Sequence, residues 1–418
     1  MATCIFENEK EQKYKCTYDF IDGKIKVKVF KDLYSDEYKG LGIVNLSCQN
    51  EEEYKEKIIN IFDADNKIYL KLFHCYISGY NTMYGSFDGY ESVTYATSYY
   101  IQGKSEDDIY NINDNPRIDA IRIYHPTIQY IYGNPSFELR KSEDEVNIKL
   151  KKNIKKDEII IDSNNIKSVS ISDDWSYQIN NKLMSIKLTG YAELTLKRKI
   201  KLSDSISYIK EFQIYMELLK QKCNLLEKVY LKIKDKYFEL KCDEFYSEKE
   251  NKNIQLSFKD NIDDYLKNCY KNMQIRGNNS VNRNIPYILF GHSRNIEDSY
   301  LLYYRFIECF YKKKNYQSNF IFKALNDSKN IYLRNFKEEE IENVVQEIVY
   351  LRNQYVHSGY HIKGGNLKVK SKDEKINYNV KVDFDWIYKR TKLLYYIVID
   401  IIYKQILKID KYNYNKHF

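Results

Sequence analysis

Arg352, Asn353 and His357 are three polar side chains grouped near the end of one stretch, residues 339–359, EEIENVVQEIVYLRNQYVHSG. Their types suit chemistry at a phosphodiester. An imidazole such as His357 exchanges protons near neutral pH, and a guanidinium such as Arg352 is always charged and offers parallel N–H donors to phosphate oxygens. The Asn353 amide can orient a neighbouring group by hydrogen bonding. At about 100° per residue, Asn353 and His357 lie one turn apart on one face of a helix, and Arg352 lies about 140° round from His357, within reach for a long side chain.

The element that must position them is a helix. Ile341, Val344, Val345, Ile348, Leu351, Tyr355 and Val356 recur at the three-and-four spacing of an apolar stripe. Glu339, Glu340 and Glu342 favour its first turn. Gly359 stops it.

The motif Arg-Asn-x-x-x-His, RNQYVH in this chain, resembles the signature of the HEPN superfamily, whose active members are metal-independent ribonucleases. Its surroundings, FGHSRNIEDSYLLYYRFIECFYKK and then VVQEIVYLRNQYVHSGY, are similar to the ApeA-like HEPN branch found in phage-defence proteins. The resemblance covers residues 287–418. The longer N-terminal portion is similar, in general character, to the β-rich domain that precedes HEPN in those proteins.

The resemblance implies an RNA substrate, transfer RNA by analogy, and a reaction without metal or cofactor. The ribose 2′-OH attacks the adjacent phosphate, leaving a 2′,3′-cyclic phosphate and a 5′-hydroxyl. In that reaction His357 transfers a proton, Arg352 meets the charge on the phosphorane and Asn353 orients groups. The last turn of a helix favours a cation and raises an imidazole pKa, so His357 begins as the acid. One histidine is thin equipment for two proton transfers. The family's remedy is to pair two signature helices around a twofold axis, so a homodimer or a higher even oligomer is expected.

Glu308 is the one acid in the middle of an apolar helix expected over residues 296–313. Two partners could satisfy it. The resemblance implies a supporting role in which it pairs with Arg352 and fixes its direction; Lys312, one turn on, is the other choice. Lys312 and Lys313 either grip RNA phosphates or complement the helix end. Tyr355 and His361 complete the expected RNA contacts.

Other residues carry less. Asp173-Asp174 beside Trp175 looks like turn chemistry. His74-Cys75 and His125 lie in strand-like stretches without complementary ligands for zinc. His292 precedes a helix and is expected to cap or pack.

The chain has 418 residues, room for two or three domains. Its 43 tyrosines with abundant Lys, Asn and Ile have a bland cause, the codon bias of an AT-rich genome, and are weak evidence for base stacking. Charge is more informative. Residues 285–418 hold 23 Lys or Arg against 15 Asp or Glu, and the totals of 67 and 59 leave 44 of each before them. The net +8 therefore sits with the signature helix, as a polyanion-binding domain requires. Eight scattered cysteines without a Cys-x-x-Cys pair are expected to be reduced and mostly buried. The opening MATCIFENEKEQKYK lacks an apolar core, and no run approaches the roughly 20 apolar residues of a membrane helix, so a soluble cytoplasmic protein is expected.

The expected architecture is an α+β multidomain chain: a β-rich, sandwich-like N-terminal domain over residues 1–245, a partly helical linker region over 246–286, and an all-α HEPN helical bundle over 287–418. Residues 24–30, KIKVKVF, alternate cleanly after the Asp22-Gly23 turn signal. Residues 79–93 look like a longer excursion. Ser203 is placed to cap a helix running to about 222. The last helix, over 385–409, is apolar around much of its circumference, and either the bundle or a second subunit must bury it.

The function expected is an anti-phage, abortive-infection endoribonuclease restrained by its N-terminal domain, which answers a phage-derived trigger. The alternative is a non-catalytic HEPN scaffold that binds RNA or a nucleotide.

Overall fold

The computed structural model describes residues 2–6, 12–21, 24–32, 57–83, 90–97, 99–128, 137–141, 146–150, 157–161, 163, 165–180, 183–220, 226–242, 256–257, 262–273, 285, 295–311, 317–328, 338–357, 365–370, 377–408 and 413–414. The chain divides into two compact units. The first comprises Met1–Met216 with Asn224–Glu248, and the second Glu217–Cys223 with Lys249–Phe418.

In the first unit β1 (Ala2–Phe6), β2 (Tyr14–Ile21), β3 (Lys24–Asp32), β4 (Lys57–Asp63), β5 (Ile68–Met83) and β6 (Tyr90–Thr97) close on themselves in the order β5-β4-β1-β2-β3-β6 and back to β5. Every pair is antiparallel. Alternation decides which side faces in. Ile25, Val27 and Val29 are fully buried with Cys16, Ile59, Ile61, Leu70 and Leu72, while Lys24 and Lys26 point out. A six-strand barrel is narrow, and these side chains fill it.

Closure depends on β5. Its first half pairs with β4, and its second half pairs with β6. At the changeover the register shifts, and His74 takes a left-handed backbone, φ 53°. β7 (Tyr99–Gly103) lies end to end with β6 along β5, with Tyr76 facing Ala96 and Leu72 facing Tyr100. Thr97 pins that joint, donating to the Phe73 carbonyl at 2.6 Å and accepting from the Tyr99 amide at 3.1 Å.

From β7 the same sheet continues outward. After a short α1 (Glu106–Tyr110) come β8 (Arg117–Tyr124), β9 (Phe137–Lys141), β10 (Val146–Leu150), β11 (Asp157–Ile160), β12 (Ile166–Asn180), β13 (Leu183–Lys201), β14 (Lys228–Ile233) and β15 (Lys236–Cys242). The order beyond the barrel is β7-β15-β14-β8-β13-β12-β11, and β9 pairs with β10 alone. The sandwich-like expectation is therefore corrected: one continuous sheet of thirteen strands closes into a barrel at one end. Of the excursion expected over 79–93, the two ends pair as antiparallel strands with Met83 facing Tyr90, and residues 84–89 lie outside the described residues. Asp173 and Asp174 lie inside β12, opposite Gly190 and Thr189, and are strand residues in place of the expected turn.

On the open sheet Arg122 of β8 is enclosed. Its guanidinium carbon lies 4.5 Å from the Tyr191 ring centre and 4.1 Å from that of Tyr237, and its Nε and Nη2 donate to one oxygen of Glu193 at 3.1 and 2.8 Å. Tyr237 donates to the same oxygen at 2.9 Å. α2 (Leu202–Lys220) starts one residue before the expected Ser203 cap, and Ser205 donates to the Leu202 carbonyl in its first turn.

The second unit is mainly helical. It contains β16 (Leu256–Ser257), α3 (Ile262–Asn268) continued by a π turn through Met273, α4 (Ile296–Tyr311), α5 (Gln317–Asp327), α6 (Glu338–His357), the hairpin β17 (Gly365–Lys370) and β18 (Asn377–Val382), α7 (Phe384–Asp400) continued by a π turn through Ile406, and β19 (Asn413–Tyr414). β16 pairs with β19 within this unit. α4 lies against α5, α6 and α7. Asp383 caps α7 by accepting from the Trp386 amide at 2.9 Å. Of the six described cysteines, none is bridged, five are buried and Cys309 is exposed. Among the described residues no helix is long and apolar enough to cross a membrane.

Candidate active site

α6 carries the signature residues, and two neighbouring helices hold it one turn before them. From α4, the Tyr300 hydroxyl donates to the Ile348 carbonyl, the acceptor that helical geometry assigns to the Arg352 amide. From α7, the Trp386 indole donates to Glu347 at 3.1 Å, and Arg390 donates to the same oxygen through Nε and Nη2. Glu347 is only 4% exposed, which is tolerable because three donors meet its charge. Consecutive residues of α6 are thus gripped from two sides.

Arg352 sits beyond this clamp, half-buried. Its Nη1 donates to Asn353 Oδ1 at 3.0 Å, and its guanidinium carbon lies 5.9 Å from the centre of the Tyr304 ring on α4. Asn353 is exposed. Tyr304 is buried within an aromatic wall, with Tyr300 at 6.4 Å and Phe320 of α5 at 5.6 Å between ring centres. α6 ends at His357, whose side chain lies outside the described residues, as do Lys312, Lys313 and His361.

Two expectations change. Glu308 makes no ion pair with Arg352 among the described residues, and Lys312, the other expected partner, lies outside them. Burial pushes the Tyr304 hydroxyl up to about 12, Glu308 adds to the rise and Arg352 opposes it. Tyr355 is no surface ring for RNA. It is 2% exposed and packs on Tyr300 at 5.4 Å, since it falls on the apolar stripe of α6. Burial raises the Tyr300 and Tyr355 hydroxyls above their usual range as well, so all three tyrosines stay protonated at neutral pH and cannot serve as bases.

Tyr300, Tyr304, Glu347, Trp386 and Arg390 were not among the expected site residues. Glu347 left a signal: it is an acid flanked by Val344, Val345 and Ile348 of the apolar stripe. Trp386 and Arg390 stand one turn apart on a later helix, the spacing of two donors on one face. Among the described residues no group of three or more His, Cys, Asp or Glu is placed to hold a metal ion.

Comparison with known proteins turns on the other unit. The family model described as ApeA N-terminal domain 1 matches residues 13–271, more than half of the chain. The chain belongs to the ApeA family. The match takes in the barrel from β2 onward, the open sheet, α2 and most of α3, and so extends past residue 248 into the helical unit of this ApeA-like defence protein. No curated protein and no solved structure matches the chain.

Proposed function

We propose that this ApeA-like protein is a HEPN-type endoribonuclease of anti-phage defence, with its cutting site at the end of α6 and its β-rich unit as the restraint. The observation that carries the reading is the state of Arg352. It is fixed on an anchored helix and over an aromatic ring, yet among the described residues only one of its N–H donors is engaged, by the adjacent Asn353. An arginine so held is prepared for an anion with two acceptor oxygens. The family membership and the net +8 of the C-terminal third support the same reading.

The roles follow from the chemistry. Arg352 takes the non-bridging oxygens as the ribose 2′-OH attacks, Asn353 orients the phosphate, and His357 moves protons to and from the 2′ and 5′ oxygens. Cyclic-phosphate and 5′-hydroxyl ends result, and no metal is consumed in the bookkeeping of charge. A second chain related by a twofold axis brings a second His357, so the working form is a homodimer or higher even oligomer. Transfer RNA is the substrate class proposed, and the cytoplasm the compartment. A phage-derived signal releases the restraint.

The test uses bacteria expressing the intact protein or His357→Ala, with and without phage, and their RNA resolved on denaturing gels after lysis in EDTA. The reading expects discrete fragments with cyclic-phosphate ends that depend on His357 and persist in EDTA. Intact RNA in every culture, with protection unchanged by the substitution, would replace it with a non-catalytic scaffold that binds RNA or a nucleotide.

A further inference from the structure

The ring beneath Arg352 admits a sharper assignment than the cutting site alone. A carboxylate beside a guanidinium would engage two of its donors, the ones a phosphate needs. An aromatic face attracts the cation through its quadrupole and takes no N–H. Tyr304 offers such a face, and it cannot drift, because Tyr300 and Phe320 flank it in the core. Glu308, one turn along α4 from Tyr304, makes no ion pair with Arg352 among the described residues.

We infer that Tyr304 is the positioning residue for Arg352: its ring sets the plane from which the guanidinium meets the phosphate while leaving the N–H fork open. The inference rests on the ribonuclease reading above.

Three variants of the full chain test it: Tyr304→Leu removes the ring, Tyr304→Phe keeps it, and Tyr303→Leu is a packing control. Tyr303 is a buried tyrosine on the same helix whose ring packs on Tyr395 of α7, at 5.4 Å. The first readout is the Nε–Hε resonance of Arg352 in arginine-labelled protein, assigned by its loss in Arg352→Lys. The ring current displaces it in the wild type, Tyr304→Phe and Tyr303→Leu, and the displacement disappears in Tyr304→Leu. The second readout is the rate of RNA fragment formation in phage-challenged cultures, with RNA retention by the purified proteins measured on bulk bacterial tRNA in EDTA. Tyr304→Leu lowers the rate about tenfold and retention less than about twofold, and Tyr304→Phe restores the rate.

The outcomes separate. A resonance unmoved by Tyr304→Leu, or a rate lowered equally by Tyr303→Leu, overturns the inference while cleavage that depends on His357 stands. Cleavage indifferent to both Arg352→Ala and His357→Ala overturns the ribonuclease reading and this inference together.

Discussion

Two arginines, one in each unit, lie against tyrosine rings and end in opposite conditions. Arg122 is closed in by Tyr191 and Tyr237, and Glu193 takes its Nε and Nη2. Among the described residues Arg352 rests on one ring, Tyr304, and gives one hydrogen bond, to Asn353. The rings are common to both, so they do not decide the role. The carboxylate does. Glu193 faces Arg122 across the β8–β13 ladder and converts it into a brace between strands, whereas no carboxylate among the described residues takes the donors of Arg352. The pattern separates a structural arginine from a working one by what occupies its donors.

The contrast can be broken most directly by function. Arg352→Ala or His357→Ala lowers RNA cleavage about a hundred- to a thousandfold, while Arg352→Ala moves the unfolding free energy by no more than about 0.5 kcal/mol. Gel analysis of RNA from challenged cultures and a urea titration check the two halves. An Arg352→Ala protein that cuts normally would end the distinction.

Next in size is the clamp beneath the site. Glu347→Ala leaves Arg390 without its buried partner and destabilises the helical unit by about 3 kcal/mol. The chain has two tryptophans, Trp175 in β12 and Trp386 in α7, so Trp386 fluorescence in a Trp175→Phe background reports on this unit alone. An unchanged midpoint would show that α6 does not need α7.

Arg122→Ala should cost about 2 kcal/mol, less than the clamp because the pair with Glu193 is partly exposed. Arg122→Lys recovers less than half, because an ammonium has neither the fork nor the flat face. Hydrogen exchange at β8 and β13 amides measures it, and RNA cleavage in the Arg122→Lys protein sharpens the contrast by staying at the wild-type level.

The smallest effect is a pH dependence at the start of α7. The Trp386 amide holds the Asp383 carboxyl below its ordinary 3.8, against desolvation and with help from Lys381 and Lys389. A lowered folded-state pKa means that the stabilisation is present above the unfolded value and is lost as pH falls through the folded one. Asp383→Asn keeps the cap without the charge. Thermal melts should therefore show a gap between wild type and variant at about pH 6 that closes towards about pH 3.

Local pattern made much of this molecule legible in its sequence. The three-and-four stripe announced α6, and alternation in KIKVKVF announced β3. Long-range geometry was not legible. Barrel closure depends on β5 changing partners at a left-handed His74, and nothing local in HCYISGY distinguishes that bend from a loop. β1, a short strand at the heart of the barrel, had no turn signal to frame it. In the site, Arg352 and Asn353 were visible because helix spacing is local. The Tyr304 platform and the Glu347 clamp were not, because they join α4 and α7 to α6 across the fold. Tyr355 shows the opposite error: a ring suited to stacking by type was already committed to the core by its place in the stripe.

β5 has a consequence for how the first unit is taken apart. It is a wall of the barrel and also the root of the open sheet, through β4 and β6 on one hand and β7 on the other. A strand held in common makes the two halves a single melting unit, and amide protons in Ile25 and Val229 should exchange with one shared opening free energy. It also sets where the gene can be cut: no truncation point between β5 and β15 yields a part that keeps all its edges paired.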